Sequence, residues 1–164
     1  MVKILIFGNS GAGKSTLAKK LAVSKNLAHL DLDTLAWQPI PAGSTAPPGR
    51  LPLKQSRQQI DIFTNANPHW IIEGCYTDLL EMLSDEADEI IFMDLDVNLC
   101  IANAANRPWE PHKYPSKTAQ DKNLPMLTQW IQQYTERDDG FSHQAHQGFY
   151  EAFKGNKSMV RDNQ

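Results

Sequence analysis

The sequence predicts an α/β fold: a parallel sheet with helices packed on both faces. Three observations carry that reading. Ile4-Leu5-Ile6-Phe7 is a continuous β-branched and aromatic run ended by Gly8, the pattern of a strand buried on both sides. A glycine-rich segment follows and leads into Leu17, Ala18, Leu21 and Ala22, which recur at helical spacing. Strand-like runs then return at Ala28-His29-Leu30, His69-Trp70-Ile71-Ile72 and Glu89-Ile90-Ile91-Phe92-Met93, so strands alternate with helices along the chain.

The elements between these strands are less regular. Gln38 to Leu53 holds five of the ten prolines and reads as a long loop; the polar run Lys54 to Gln59 leads from it into a helix-like Ile60 to Thr64. A second irregular stretch, Arg107 to Pro125, carries four prolines, after which Leu124, Leu127, Ile131 and Tyr134 mark one apolar helix face. Phe149 and Phe153 share the face of a last helix, and Lys157 to Val160 supplies one more short strand. With 164 residues and 41% apolar composition, the chain is expected to be one domain, residues 1–164, with an excursion at about 34–66 and a lid at about 107–125.

Composition excludes several classes of function. The net charge of -3 and pI of about 5.9 provide no general positive field, so neither nucleic acid nor an anionic membrane is an expected partner. Cys75 and Cys100 lie far apart without a C-x-x-C partner and read as reduced, buried thiols. No apolar run approaches the length of a membrane span, and the expected location is cytoplasmic.

Gly8-Asn9-Ser10-Gly11-Ala12-Gly13-Lys14-Ser15 matches G-x-x-x-x-G-K-[ST] and lies where its mechanism requires, between a buried strand and a helix. Glycines allow backbone N–H groups to converge on phosphate oxygens, and the helix N-terminus adds partial positive charge. With Thr16, these residues form the expected binding set for a nucleoside triphosphate. Lys14 would bridge the terminal phosphates, and the Ser15 hydroxyl would be a ligand of Mg2+.

Carboxylates end the next two strands. Asp31-Leu32-Asp33 closes the second, so both acids are expected on one side at the carboxyl edge of the sheet, where open α/β sheets bind ligands. Asp31 is expected at the metal; Asp33 is expected to orient or deprotonate an acceptor hydroxyl, while its place before Thr34-Leu35-Ala36 also suits a helix N-cap. Glu73 follows Trp70-Ile71-Ile72 as a Walker-B-type carboxylate facing Mg2+, and Gly74 gives a turn that a substrate can approach. Asp94 and Asp96 end the fourth strand and read as structural.

Arg107 heads the second irregular stretch, a position suited to a lid arginine that stabilises the transferring phosphoryl group; Arg57 in the excursion is expected to grip an anionic acceptor. His143 and His146 lack a third ligand in register and are expected as surface or capping residues. Trp37, Trp109 and Trp130 read as core or lid packing.

The glycine loop, the Asp31–Asp33 pair and Arg107-Pro108 together resemble the small kinases of the nucleoside monophosphate kinase group, and shikimate kinase most. The resemblance implies a three-layer P-loop NTPase fold with a five-stranded parallel sheet in the order 2-3-1-4-5 and a mobile lid. It implies ATP and Mg2+ as cofactors, a small-molecule hydroxyl as phosphoryl acceptor, and Lys14, Asp33 and Arg107 as the catalytic set. Shikimate kinases carry three consecutive glycines after the third strand, where this chain has Glu73-Gly74-Cys75-Tyr76. That turn is more similar to kinase-like proteins labelled DNA topology modulators, a role that the acidic charge does not favour. A nucleotide acceptor is disfavoured by the single lid arginine. A regulatory ATPase with weak turnover is the reading from another class; a GTPase is disfavoured because no N-K-x-D motif is present.

Overall fold

The computed structural model describes residues 1–39 and 48–163. Five strands, β1 (Lys3–Gly8), β2 (Ala28–Asp31), β3 (Trp70–Gly74), β4 (Glu89–Met93) and β5 (Asn156–Val160), form one sheet in the order β2-β3-β1-β4-β5. Every pairing is parallel. Both the expected parallel sheet and its 2-3-1-4-5 order are therefore found. Among the described residues, six helices connect the strands: α1 (Lys14–Lys25), α2 (Leu53–Ala66), α3 (Thr77–Leu83), α4 (Val97–Ala105), α5 (Lys117–Gln132) and α6 (His143–Ala152).

Because side chains alternate along a strand and lateral neighbours share a face, the register sorts the core into two layers. Leu5, Phe7, Trp70, Ile72, Ile90 and Phe92 point to one side and pack with α2, α3 and α6 residues such as Ile60, Leu80 and Phe149. Ile4, Ile6, Ile71, Ile91 and Met93 point to the other, against Ala18 of α1, Cys100 of α4 and Ile131 of α5. Burial on both faces is why these strands read as continuous apolar runs. Each such side chain, fully buried, contributes about 1.5–3 kcal/mol.

The same register places the polar ends of the strands. Asp31 pairs laterally with Glu73, and His29 with Ile71, so His29, Asp31 and Glu73 lie on the α1 side of the sheet. Parallel strands also bring all their carboxyl ends to one edge, where the turn after β1 lies.

Three expectations are corrected here. The helix-like stretch at Ile60 to Thr64 starts earlier, at Leu53 behind Pro52, because the polar run, apart from buried Ser56, is the solvent face of α2. The second irregular stretch stops short of Pro125: Ser116 accepts from the Ala119 N–H and starts α5 at Lys117, so Pro125 lies inside a helix whose later face is held by buried Ile131. β2 ends at Asp31, and Asp33 is in a single 3-10 turn, Leu32–Thr34, whose cap is Asp31 and not Asp33; the Asp31 carboxylate accepts from the Asp33 N–H at 2.9 Å.

The excursion after this turn is closed at its base by an antiparallel bridge between Trp37 and Arg50, with the Gln38 N–H on the Gly49 carbonyl. Its residues 40–47 lie outside the described residues. No helix among the described residues is long and apolar enough to cross a membrane.

Candidate active site

The loop between β1 and α1 follows a path that only glycine takes without strain. Gly11 and Gly13 have φ of 78° and 87°, and a Cβ on Gly11 would collide with the Cys100 carbonyl oxygen of α4. The carbonyls of the loop are occupied by side chains. Lys14 Nζ donates to Asn9 O at 2.7 Å, Asn103 Nδ2 to Gly11 O at 2.9 Å, and Asn163 Nδ2 to Ala12 O at 3.1 Å. Asn103 Nδ2 also reaches Asn163 Oδ1, at 2.6 Å. Amides from α4 and from the segment after β5 thus fix the outer side of a loop that begins at the N-terminus of α1, a geometry suited to phosphate.

A cleft of about 900 Å³ opens above this loop. Lys14, Ser15 and Thr16 line it together with Asp31, Asp33 and Glu73 from the strand ends. Ser10, Gly11, Gly13, Gly74 and Arg107 complete the predicted residues at its wall; Gly8, Asn9 and Ala12 are buried in the loop beneath. Arg57 is not brought there. It lies on the outer face of α2, about half exposed, with its guanidinium on Asp61 at 3.1 Å. Helical rotation explains this, since the neighbouring Ser56 and, one turn on, Ile60 take the buried face.

Glu73 is 2% exposed and accepts from two sides: Ser15 Oγ at 2.8 Å on one oxygen, and His29 Nε2 at 2.8 Å on the other. Asp31 is its lateral neighbour in the sheet, so a second carboxylate lines the cleft beside the Ser15–Glu73 pair. Burial pushes the Asp31 carboxyl above the usual carboxylate range, and the charges of Asp33 and Glu73 add to that rise. Asp31, Asp33 and Glu73 line this part of the cleft together, an arrangement that suits a bound divalent cation.

Asp33 occupies the other end of the cleft, where Tyr76 Oη donates to its Oδ1 and Trp37 Nε1 donates to Tyr76 Oη at 2.7 Å. Lys113 reaches over from the segment before α5, 2.9 Å from Asp33 Oδ2 and 3.5 Å from Asp31 Oδ2. Burial raises the Asp33 carboxyl, but the Lys113 ammonium and the Tyr76 hydroxyl more than offset it and leave the group below the usual range. Burial opposes the charge on Lys113, yet Asp33 and Asp31 hold its pKa above the ordinary lysine value. Arg107 donates to Glu110 at 3.0 Å. Gly74 is where the chain passes Leu32 so closely that a Cβ would come within 2.9 Å of it.

No sequence motif points to Lys113, Tyr76 or His29. The β2–β3 register exposes His29, and the proximity of Tyr76 to the Gly74 turn was its one local signal. Lys113 carries none, being one lysine among several between Arg107 and Pro125.

His146 is a correction: it is fully buried, not a surface residue. Its Nε2 lies 2.8 Å from the Cys75 carbonyl, which can only accept, so Nε2 carries the proton and Nδ1 accepts from Tyr134 Oη at 2.7 Å. His143 pairs instead with Asp94 at 3.0 Å, and Asp96 caps α4. The described residues include no cluster of three or more metal-ligating His, Cys, Asp or Glu side chains. Burial lifts the thiols of Cys75 to about 12 and Cys100 to about 11, so both remain protonated.

Burial also pushes His146 down to about 4, with Lys14 and His143 adding to the fall. The unfolded chain, titrating near 6.5, therefore binds the extra proton first, and stability falls as pH drops from 6.5 towards 4. This group alone is expected to remove about 3 kcal/mol across that window. Urea midpoints measured from pH 7.5 to 4 check it: His146→Gln should flatten the profile, and an equally steep profile in that variant would overturn the assignment.

No protein-family model and no curated protein matches this chain. Among solved structures, a sugar kinase from Janibacter sp. HTCC2649 is similar over 98% of this chain and 85% of its own, with a TM-score of 0.50 at 11% identity. A shikimate kinase from Bacteroides thetaiotaomicron (TM-score 0.46, 17% identity, 92% of this chain and 97% of its own) and a gluconokinase from Sinorhizobium meliloti 1021 (0.44, 12%, 92% and 97%) are more distant in shape. At such identities the likeness is one of fold: with its parallel sheet in the order 2-3-1-4-5 and its glycine loop between β1 and α1, this chain has the P-loop α/β fold.

Proposed function

We propose that the chain is a phosphotransferase that moves the γ-phosphoryl group of ATP to a hydroxyl of a small molecule. The observation that carries this reading is the shared cleft: Lys14 and Ser15 stand at one end of it, and Asp33, held by Tyr76 and Lys113, stands at the other. The first group alone would suit a binding protein; the second adds a carboxylate placed to orient a receiving hydroxyl. The fold shared with a sugar kinase supports a hydroxyl acceptor.

In this reading the loop holds the phosphates, and Lys14, released from the Asn9 carbonyl, takes the terminal oxygens. Mg2+ fits the residues at hand: Ser15, Asp31 and Glu73 are hard oxygen donors. When bound it would neutralise charge on the β- and γ-phosphates. The acceptor oxygen forms a bond to the γ-phosphorus as the bond from phosphorus to the β–γ bridging oxygen breaks and ADP leaves. The hydroxyl proton passes to the Asp33 carboxylate and then to water. Held below its usual range by Lys113 and Tyr76, Asp33 is a weak base that chiefly orients the hydroxyl; a loose phosphoryl-transfer transition state asks for little more. Arg107 and Lys113, on the lid, face the developing charge.

ADP release from Mg·ATP, measured with and without hydroxylated small molecules, tests the proposal. Release is expected to rise with an acceptor and to stop when EDTA removes the metal. Slow hydrolysis indifferent to every acceptor would replace this reading with that of a regulatory nucleotide-binding protein.

A further inference from the structure

We infer that the acceptor is an uncharged, polyhydroxylated molecule, carrying neither phosphate nor carboxylate; this rests on the phosphotransferase reading above. The inference comes from where the acceptor side's positive charge already goes. An anionic acceptor needs a cation that is free to meet it, because a buried unpaired charge is expensive. Lys113 is shared among Asp33 at 2.9 Å, Asp31 at 3.5 Å and Glu110 at 3.7 Å. Arg107 is on Glu110 at 3.0 Å. Arg50 is committed twice over, on Asp78 at 3.2 Å and against the Tyr76 ring at 4.8 Å. Arg57 faces away, on Asp61.

The sequence adds to this. Between Asp33 and Lys54 the excursion holds Arg50 as its one basic residue, and the stretch from 40 to 47 has no charged side chain at all. Over the whole cleft the five acids Asp31, Asp33, Glu73, Glu110 and Asp162 match the five cations Lys14, Lys19, Lys20, Arg107 and Lys113, but away from the loop Asp31, Asp33, Glu73 and Glu110 face Lys113 and Arg107 alone. Those four carboxylates outnumber their two cations, and a divalent cation at Ser15 and Glu73, which would also face the nucleotide phosphates, leaves no positive charge over for an anion. Lys14, Lys19 and Lys20 stand on the loop side, where the nucleotide phosphates use them.

What remains on the acceptor side suits a neutral polyol. Asp33 and Glu110 accept hydrogen bonds from hydroxyls. Trp109, 42% exposed on the cleft wall, has its N–H tied to the Tyr114 carbonyl at 3.0 Å and so offers its ring face to the C–H face of a sugar or cyclitol.

The experiment compares neutral acceptors with anionic counterparts of the same ring, by ADP release from Mg·ATP: myo-inositol against inositol 1-phosphate, glucose against glucuronate and glucose 6-phosphate, methyl shikimate against shikimate. In any pair that reacts, kcat/KM for the neutral member is expected to exceed that for the anion by about 100-fold or more, the scale of one unpaired charge in a cleft. A faster anion would overturn the inference and leave the phosphotransferase standing. If no compound of either kind raises a Lys14-dependent ADP release, the phosphotransferase reading fails and this inference fails with it.

Discussion

Lys14→Ala is expected to lower acceptor-dependent ADP release by about 10³-fold, equivalent to about 4 kcal/mol of transition-state stabilisation. The ammonium of Lys14 already lies within the phosphate loop, 2.7 Å from the Asn9 carbonyl, and the position begins α1. Truncation leaves the loop's backbone in place, because Asn103 and Asn163 hold the Gly11 and Ala12 carbonyls independently of it. What disappears is the charge that the loop itself brings to the terminal phosphate as it transfers. Stability should change little, since one hydrogen bond at a partly exposed site contributes about 1 kcal/mol. Circular dichroism and a urea midpoint close to wild type, together with the rate loss, would separate chemistry from folding. A variant that keeps a tenth or more of wild-type turnover would remove Lys14 from the mechanism and with it the reason for the loop.

The sheet was legible because its strands are buried on both faces. Glu89–Met93 was read to the residue, and the strand at β1 was missed only at its ends. Physical causes local to the chain, continuous apolar runs and a glycine loop, sufficed there. The lid was not legible in the same way. Four prolines between Arg107 and Pro125 argued for irregular chain throughout, but a Ser116 cap and the buried Ile131 sustain α5 through Pro125. A proline removes one N–H from a helix; cap and tertiary burial together can exceed that loss.

The candidate site divides along the same line. Phosphate-loop residues are adjacent in sequence, so their chemistry is visible as a motif. The acceptor end is assembled from residues that sequence keeps apart: Tyr76 lies 43 positions from Asp33, and Lys113 lies 80 positions from it. No spacing rule connects them, because the β3–α3 turn and the lid meet only after the sheet has formed. Arg57 illustrates the converse error in reasoning from sequence position. Placing an arginine in the excursion says nothing of which face of α2 it takes, and the alternation of Ser56 and Ile60 with their polar neighbours turns it outward. His146 was misjudged for a related reason: alone in the sequence it has no partner, whereas in the fold Tyr134 and the Cys75 carbonyl satisfy both its nitrogens.

Asp33→Asn carries the other large effect. The carboxamide keeps the shape of the side chain, can still accept from Tyr76, and leaves Lys113 with Asp31 and Glu110, so folding and ATP binding should persist. It cannot take the acceptor proton, and half of its hydrogen-bonding edge becomes a donor turned towards Lys113. We expect kcat to fall by about 10²–10³-fold with the KM for ATP nearly unchanged, the range for loss of a positioned acid–base group. Tyr76→Phe should cost less, about 10-fold in kcat, because Tyr76 acts on the acceptor only through Asp33, with which it shares a hydrogen bond. The double variant should then be no worse than Asp33→Asn alone, since a residue that only positions another has nothing left to position. Steady-state kinetics on the three variants with one reactive acceptor decide the matter. Additive losses would place Tyr76 directly on the acceptor, and an Asp33→Asn variant with wild-type kcat would return the carboxylate to a purely structural part in the turn after β2.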